Sequence, residues 1–235
     1  MVDNSREKEE VDMNTTKQFL VRAESFDIAS PLISIEAVST DITIMESLDA
    51  KSHLEILATT EGAKALAELI TVNVSERTIK ILAEKRLSGF KALFKGNSGE
   101  LEIIMRLPRS SELTITNVSG DVTVGAAIFS HEVSTVSGNI EILKNPISHA
   151  NLKTVSGDIS ARTFTGCRYF LKSISGDIRV HVAPNLEITV DGSSLSGDLR
   201  SEIALNSEAE REGDHIGSVD IEAKTVSGDF TLARN

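Results

Sequence analysis

Tryptophan is absent from this sequence, and tyrosine occurs only once, at Tyr169. Sugar-binding grooves usually present flat aromatic rings to the sugar, so this scarcity argues against a carbohydrate-binding groove. Valine, isoleucine and leucine recur instead, and such residues suit stacked β-strands. With 235 residues, 40% of them apolar, the chain can bury a large core as one all-β unit or two smaller ones.

Cysteine is nearly absent as well, because Cys167 stands alone, and an internal disulfide framework is therefore excluded. No stretch approaches the roughly 20 apolar residues that a transmembrane helix needs. Residues 1–14 are polar and charged, without the basic start, apolar run and cleavage site of a secretory signal. We therefore predict a cytoplasmic protein that begins with a disordered acidic tail over residues 1–14.

The sequence also lacks an excess of positive charge. It holds 24 Lys and Arg against 35 Asp and Glu, a formal net charge of −11. Phosphate backbones bind to basic faces, so we expect no nucleic-acid partner.

What the sequence has is a five-residue repeat centred on Ser-Gly-Asp. Copies such as Val155–Ile159 (VSGDI) and Leu195–Leu199 (LSGDL) recur six times, and their glycines are separated by 18, 19, 19, 21 and 31 residues. The repeated glycines, which we call the corner glycines, are Gly120, Gly138, Gly157, Gly176, Gly197 and Gly228. Repetition at a fixed short period is the signature of a solenoid.

Apolar residues repeat together with the glycines. One stands two positions before each glycine and another stands two positions after it, and alternation with a period of two indicates β-strands. We interpret both positions, and the glycine between them, as facing the core. The glycine is then required either by a corner too crowded for a Cβ atom or by a positive φ. The sequence predicts an all-β, single-stranded β-helix (β-solenoid) with rungs of about 19 residues.

The first half of the chain carries a degenerate form of the same pattern. Isoleucines surround Thr40 and Asp41 at the offsets seen around the corner glycines, and there is room for about four rungs before Gly120. One short helix is predicted over Glu61–Ile70, where Ala, Leu, Lys and Glu dominate. We therefore predict degenerate rungs over residues 15–110, with the helix and a basic, aromatic loop, and regular rungs over residues 111–235.

These motifs resemble those of a known family. The V-S-G-D-[IV] repeat, the lead-in Leu107-Pro108 and a last repeat that runs into the C-terminus are similar to the bacterial putative-adhesin family of β-strand-repeat domains. The resemblance covers nearly all of the chain after the tail. It implies a single-stranded right-handed β-helix, a largely unestablished function, surface display and no catalytic residues.

The aspartates that follow the corner glycines form the clearest candidate site. Stacked rungs would place them about 4.8 Å apart. Each could accept backbone N–H bonds at its own corner, as Asp and Asn do in turns, and Asn139 in the same column favours this reading. Alternatively, they could form a row of weak Ca²⁺ sites. The five are Asp121, Asp158, Asp177, Asp198 and Asp229.

No catalytic site is predicted. Six equivalent serines precede the glycines without a positioned histidine, whereas catalysis needs one specially oriented nucleophile. The five histidines lack metal-ligand spacing. The sequence therefore predicts no enzyme activity, no cofactor and no dedicated metal site.

Two segments interrupt the repeat. The loop from Lys85 to Gly99 mixes basic and apolar side chains, which predicts a surface loop, a partner contact or a peripheral contact with an anionic membrane. Its candidate residues are Lys85, Arg86, Phe90, Lys91, Leu93, Phe94 and Lys95. The other segment, about Asn206 to Gly217, is acidic and predicts a solvated excursion.

The sequence predicts a bare last rung around Phe230, because the chain stops five residues later. An unpaired strand edge invites pairing with another strand, unless an earlier segment folds over it. The leading function is therefore a non-enzymatic scaffold or interaction protein that binds an unknown protein partner. The alternatives are end-to-end self-association and a polysaccharide-binding or polysaccharide-active β-helix.

Overall fold

The computed structural model describes residues 18–83, 100–203 and 217–235, and these fold into two β-sheets with one short helix. In spatial order, the strands of sheet A are β1 (Phe19–Phe26), β4 (Ser52–Ala58), β7 (Leu101–Leu107), β3 (Asp41–Glu46), β9 (Val122–Val124), β11 (Ile140–Ile142), β13 (Ile159–Thr163), β15 (Ile178–Val182), β19 (Phe230–Arg234) and β17 (Leu199–Ser201). Those of sheet B are β16 (Glu187–Ser194), β18 (Ser218–Thr225), β14 (Cys167–Lys172), β12 (His149–Ser156), β10 (Ser130–Ser137), β8 (Glu112–Ser119), β2 (Leu32–Ala37), β6 (Thr78–Ala83) and β5 (Thr71–Val74). The fold is therefore mostly β, with two mainly parallel sheets.

The repeat builds coils that cross from one sheet to the other. Each regular coil consists of a strand in sheet B, a Ser-Gly-Asp corner and a strand in sheet A, as in β12 followed by β13. Successive coils pair in parallel: Ser130 pairs with Glu112 on one side and with His149 on the other. Each coil therefore lies directly on its neighbours, and the chain forms a stack.

The core lies between the two sheets. Inward side chains from both sheets join one cluster of buried aliphatic residues, together with the fully buried Tyr169. The apolar residue two positions after each corner glycine belongs to this cluster in five of the six repeats, as at Ile159. The exception is Leu199, which is 53% exposed because β17 is the edge strand of sheet A.

The apolar residues two positions before the glycines do not face the core, so that part of the prediction is wrong. Five of them are 42–47% exposed and Leu195 is 84% exposed. Strand alternation explains the difference: the residues five and three positions before each glycine point inward, as Leu152 and Thr154 do, so the next residue must point outward. We call this set the aliphatic column: Val118, Val136, Val155, Ile174, Leu195 and Val226.

Among its described residues, the N-terminal region contains two parallel coils, β2 with β3 and β6 with β7, in a length that has room for about four. The remaining strands pair antiparallel: β1 with β4, β4 with β7, and β5 with β6. Their sequences alternate like those of the coils, and alternation does not distinguish parallel from antiparallel pairing when one face is buried. The spacing of apolar residues therefore could not reveal this change.

The predicted helix is present and shorter than expected. Helix α1 spans Glu61–Ala67, and the Thr60 side chain caps its start by accepting the N–H of Ala63 at 3.1 Å. Ala63 and Ala67 are buried against the core.

The C-terminal coil is not bare, and this confirms the sequence alternative in which an earlier segment folds over it. Strand β18 lies between β14 and β16, and β19 lies between β15 and β17. The coil of β16 and β17, although earlier in the chain, forms the end of the stack among the described residues. An earlier segment therefore covers the last coil on its outer side.

Candidate interaction surface

The corner glycines lie in one column in which each backbone touches the next. A Cβ atom on Gly157 would overlap the carbonyl oxygen of Gly138, and one on Gly176 would overlap that of Gly157. A positive φ, +117°, occurs in this column at Gly120. Close packing between coils is therefore the general reason for glycine at these corners.

A second column, which the sequence prediction missed, supports five of the six corners from inside, and the exception is Thr135, whose Oγ1 has no hydrogen-bond partner among the described residues. The residue three positions before each corner glycine is Asn, Thr or Ser and points inward. Asn117 donates to the carbonyl of Thr40 at 2.8 Å, and Ser194 donates to that of Gly228 at 3.0 Å. Thr154, Ser173 and Thr225 make longer bonds of 3.4 Å to glycine carbonyls. The sequence signal for this column is that the residue at this position is small and polar in every repeat.

The aspartates form a continuous hydrogen-bonded ladder along the stack. The Oδ1 atom of Asp158 accepts the backbone N–H of Asp177 at 2.8 Å, and that of Asp177 accepts the N–H of Asp229 at 3.0 Å. Asn139 serves in the same way toward Asp158, at 2.9 Å. The side chains before the end of the stack thus bond to the neighbouring coil, whereas the sequence interpretation placed this bond within each side chain's own corner.

Two arginines occupy the side of the ladder where a cation would bind. Arg179 contacts Asp177 at 2.6 Å and Asp158 at 3.6 Å. Arg200 contacts Asp198 at 2.7 Å, and this bond raises the pKa of the arginine. No cluster of three or more metal-ligating side chains occurs among the described residues. The geometry therefore assigns the ladder to joining coils.

The aliphatic column lies on the outer face of sheet B beside these corners. Serines in the column next to it pair from coil to coil, as Ser156 does with Ser137 and Ser175. The aliphatic side chains are therefore spaced by the distance between strands, about 4.8 Å, and six of them span about 24 Å. This is a continuous apolar stripe on a face whose other outward positions are mostly polar, with Phe170 of β14 as an exposed exception.

Lysines line one side of the stripe. Lys153, Lys172 and Lys224 stand four positions before their corner glycines, are exposed, and pair in register with one another. We call them the lysine column. Lys224 binds Glu222 at 2.6 Å, whereas Lys153 and Lys172 form no ion pair with any described residue. The basic lysine column and the acidic ladder therefore flank the stripe on opposite sides.

A Ser-His-Asp chain of hydrogen bonds, also missed from the sequence, lies elsewhere. Ser25 Oγ is 2.8 Å from His53 Nδ1, and His53 Nε2 is 2.7 Å from Asp49 Oδ1. The bond to His53 lowers the pKa of Asp49 most strongly. Asp49 also accepts from Ser47 and from the N–H of Lys51, so it closes the turn between β3 and β4.

The single cysteine is poorly placed for chemistry. Burial raises the pKa of the Cys167 thiol to about 11, so the thiol is protonated at neutral pH and is a weak nucleophile. Its sulfur lies 3.6 Å from Thr163 Oγ1.

Several predicted features fall outside the described residues. These are the tail at residues 1–14, the loop candidates Lys85, Arg86, Phe90, Lys91, Leu93, Phe94 and Lys95, and nearly all of the acidic segment at 206–217. Within the described ranges, no helix is long and apolar enough to cross a membrane.

Comparison with known families decides the chain's family membership. The model of the family described as Toastrack DUF4097 matches residues 32–135 and again residues 125–233. The chain belongs to this family. The two matches to the toastrack model together span nearly the whole described structure. No curated protein matches the sequence significantly.

Solved structures similar to this toastrack protein include a putative cell adhesion protein from Clostridium sporogenes. The two share 10% identity with a TM-score of 0.53, over 91% of this chain and 99% of that one. A putative adhesin from Bacteroides fragilis has 16% identity and a TM-score of 0.44, over 93% and 97% of the two chains. Neither is described as an enzyme. At these identities the likeness establishes the fold alone.

Proposed function

We propose that this toastrack protein is a non-enzymatic scaffold that binds a protein partner through the aliphatic column. The observation that carries the proposal is the unbroken apolar stripe on the outer face of sheet B. Soluble proteins seldom expose contiguous apolar surface unless it serves an interaction. A partner that covers the stripe would remove this surface from water.

The regularity of the corners supports a scaffold over an enzyme. The same Ser, Gly and Asp or Asn recur in each repeat, and five of the six Asp or Asn side chains accept the backbone N–H of the next coil, so no single carboxylate is set apart as a catalytic group would be. We further propose that the coils form a right-handed β-helix of about 19 residues per rung, the hand that parallel crossovers favour.

A second candidate function is end-to-end assembly, as the family's simple stacking architecture would allow. It is favoured by the edge strands β16 and β17, where Leu195 and Leu199 are exposed. Such assembly would use the coil that ends the stack rather than the C-terminal coil.

The experiment is site-specific photo-cross-linking in cells that express the protein. We place a photoreactive residue at Val155 in the aliphatic column and, as a matched control, at Leu48, an exposed apolar residue in the turn after β3. The proposal predicts a discrete cross-linked protein with Val155 that is absent with Leu48 and is lost when Ile174→Asp is added. Equal cross-linking at both positions, or none at Val155, would contradict it.

A further inference from the structure

The aliphatic column is more selective in composition than strand formation requires. All six of its members are Val, Ile or Leu, although they point to solvent. The next outward position on the same strands, two residues earlier, holds Thr, Ser or Lys. Thr would satisfy the strand equally well at both positions. The uniform aliphatic chemistry therefore points to contact with another apolar surface.

The charges that flank the column have opposite signs. On one side stand the three lysines of the lysine column, of which Lys224 is already paired with Glu222. On the other side stand five ladder aspartates, which are accompanied by Arg179 and Arg200 and so retain three negative charges. Lys172 and Asp177 belong to the same coil, as do Lys153 and Asp158. The surface is thus acidic on one flank and basic on the other at the same heights.

This arrangement is complementary to itself. If two copies face each other with a twofold axis along the column, each lysine column meets the aspartate ladder of the other copy. With the axis across the column, lysines would meet lysines and aspartates would meet aspartates. An anionic membrane would be attracted by the lysines and repelled by the ladder, which stands three residues, about 10 Å, from the column and so close to one Debye length away.

We propose that the aliphatic column binds a second copy of this chain, with the two stacks side by side and parallel. In this dimer Ile174 packs against Ile174 of the other copy, and Lys172 faces Asp177. The partner of the proposed scaffold surface is then the protein itself, so this inference rests on the proposed function and makes it more specific.

The size of the apolar stripe and its charged flanks determines how tightly the two copies are expected to bind. The stripe and its flanks cover about 24 Å along the stack and about 16 Å across it, from the lysine to the aspartate positions. That footprint, about 380 Å² per copy, is about half of the roughly 800 Å² per partner that a standard interface buries, so the dimer should be weak and reversible. Ion pairs at its rim should make it sensitive to salt.

The first test is sedimentation equilibrium of the full chain over a thousand-fold range of concentration. The wild type should pass from monomer to dimer, and raising the salt concentration should shift the midpoint upward at least several-fold. Ile174→Asp and Lys172→Glu should each raise the dissociation constant at least ten-fold, whereas Leu48→Asp should leave it unchanged. Circular dichroism checks that each variant is folded. A wild type that stays monomeric, or a dimer indifferent to both column variants, would overturn the proposal.

The second test measures the orientation. Val118 and Val226 are four coil spacings apart, about 19 Å. In a Cys167→Ser background, Val118→Cys and Val226→Cys should each cross-link to itself with a short bis-maleimide, and a mixture should give little of the mixed product. Preferential formation of the mixed product would contradict the parallel arrangement. If the stripe cross-links another protein in cells while the pure chain stays monomeric, self-association is wrong and the scaffold function stands.

Discussion

At the scale of single residues, His131 is the most unusual side chain of the core. It is 1% exposed on β10, and neither ring nitrogen has a hydrogen-bond partner among the described residues. Its register neighbours in the adjacent coils are Leu113 and Ala150. Burial, with a smaller contribution from the charge on His149, lowers the pKa of His131 to about 4. The core therefore holds a neutral imidazole in a position that is otherwise apolar.

This histidine should make the protein less stable in acid. Unfolded His131 takes up a proton near pH 6.5, whereas the folded protein resists until about pH 4, so stability falls as the pH drops through this interval. The full loss is about 3 kcal/mol. His131→Leu should abolish this part of the pH dependence, as judged by urea unfolding at pH 7 and pH 4.5. His181→Gln, at a partly exposed position of β15, is the control, and an unchanged pH dependence in His131→Leu would refute the assignment.

The corner glycines give a second prediction. Gly157→Ala should destabilise the protein by about 2–4 kcal/mol, because its Cβ would overlap the carbonyl oxygen of Gly138. Gly125→Ala is a matched control, since a Cβ there would lie 3.5 Å from the nearest atom, the carbonyl oxygen of Ile44. Thermal unfolding of both variants checks the difference. Equal effects would mean that contact between coils is not what selects glycine.

At the scale of elements, the aspartate ladder links one coil to the next through an acceptor and a backbone donor. Asp158→Ala should cost about 1 kcal/mol, because the N–H of Asp177 loses its partner and must bind water instead. Asp158→Asn should cost less than half as much, as an amide oxygen accepts the same bond in the way that Asn139 does. Urea unfolding compares the two variants. Equal losses would assign the role to charge, through Arg179, rather than to hydrogen bonding.

Much of each coil could be predicted from the sequence, but the face of one column could not. The repeat predicts where the corners lie. The period-two alternation predicts that Ile159 and the residues equivalent to it in the other coils are buried. The apolar character of the aliphatic column predicts that it faces the core, whereas the alternation of side chains along the strand places it outside. The sequence alone does not show that Thr154 points inward, because a buried hydroxyl needs a hydrogen-bond partner. The structure supplies that partner, the carbonyl of Gly138.

At the scale of the whole molecule, the order of coils in space differs from their order in the chain. The coil of β18 and β19 is inserted between that of β14 and β15 and that of β16 and β17. The only signal in the sequence was the long spacing of 31 residues before Gly228. Neither the β-propensity of a strand nor the spacing of its apolar residues depends on which parallel strand it pairs with. The spatial order of the coils therefore could not be derived from them.

The inserted coil makes the C-terminal residues essential for the coil before them. Deleting residues 217–235 removes the pairing partner that β16 and β17 have in their sheets. Hydrogen exchange should therefore show loss of protection over residues 187–201 as well as weaker protection in β14. If β16 stayed protected in the truncated protein, β18 would not be its neighbour in sheet B.

The localisation of the protein in the cytoplasm stays a prediction.

The most direct test of an exposed aliphatic column compares two isoleucines fifteen positions apart, in successive coils. Ile159 is fully buried, whereas Ile174 lies in the aliphatic column and is 44% exposed. In dilute solution, Ile159→Asp should lower stability by about 4 kcal/mol or more, since it buries a carboxylate in the core, and Ile174→Asp should melt close to the wild type. If Ile174→Asp were as damaging as Ile159→Asp, the column would be part of the core and no surface would remain for a partner.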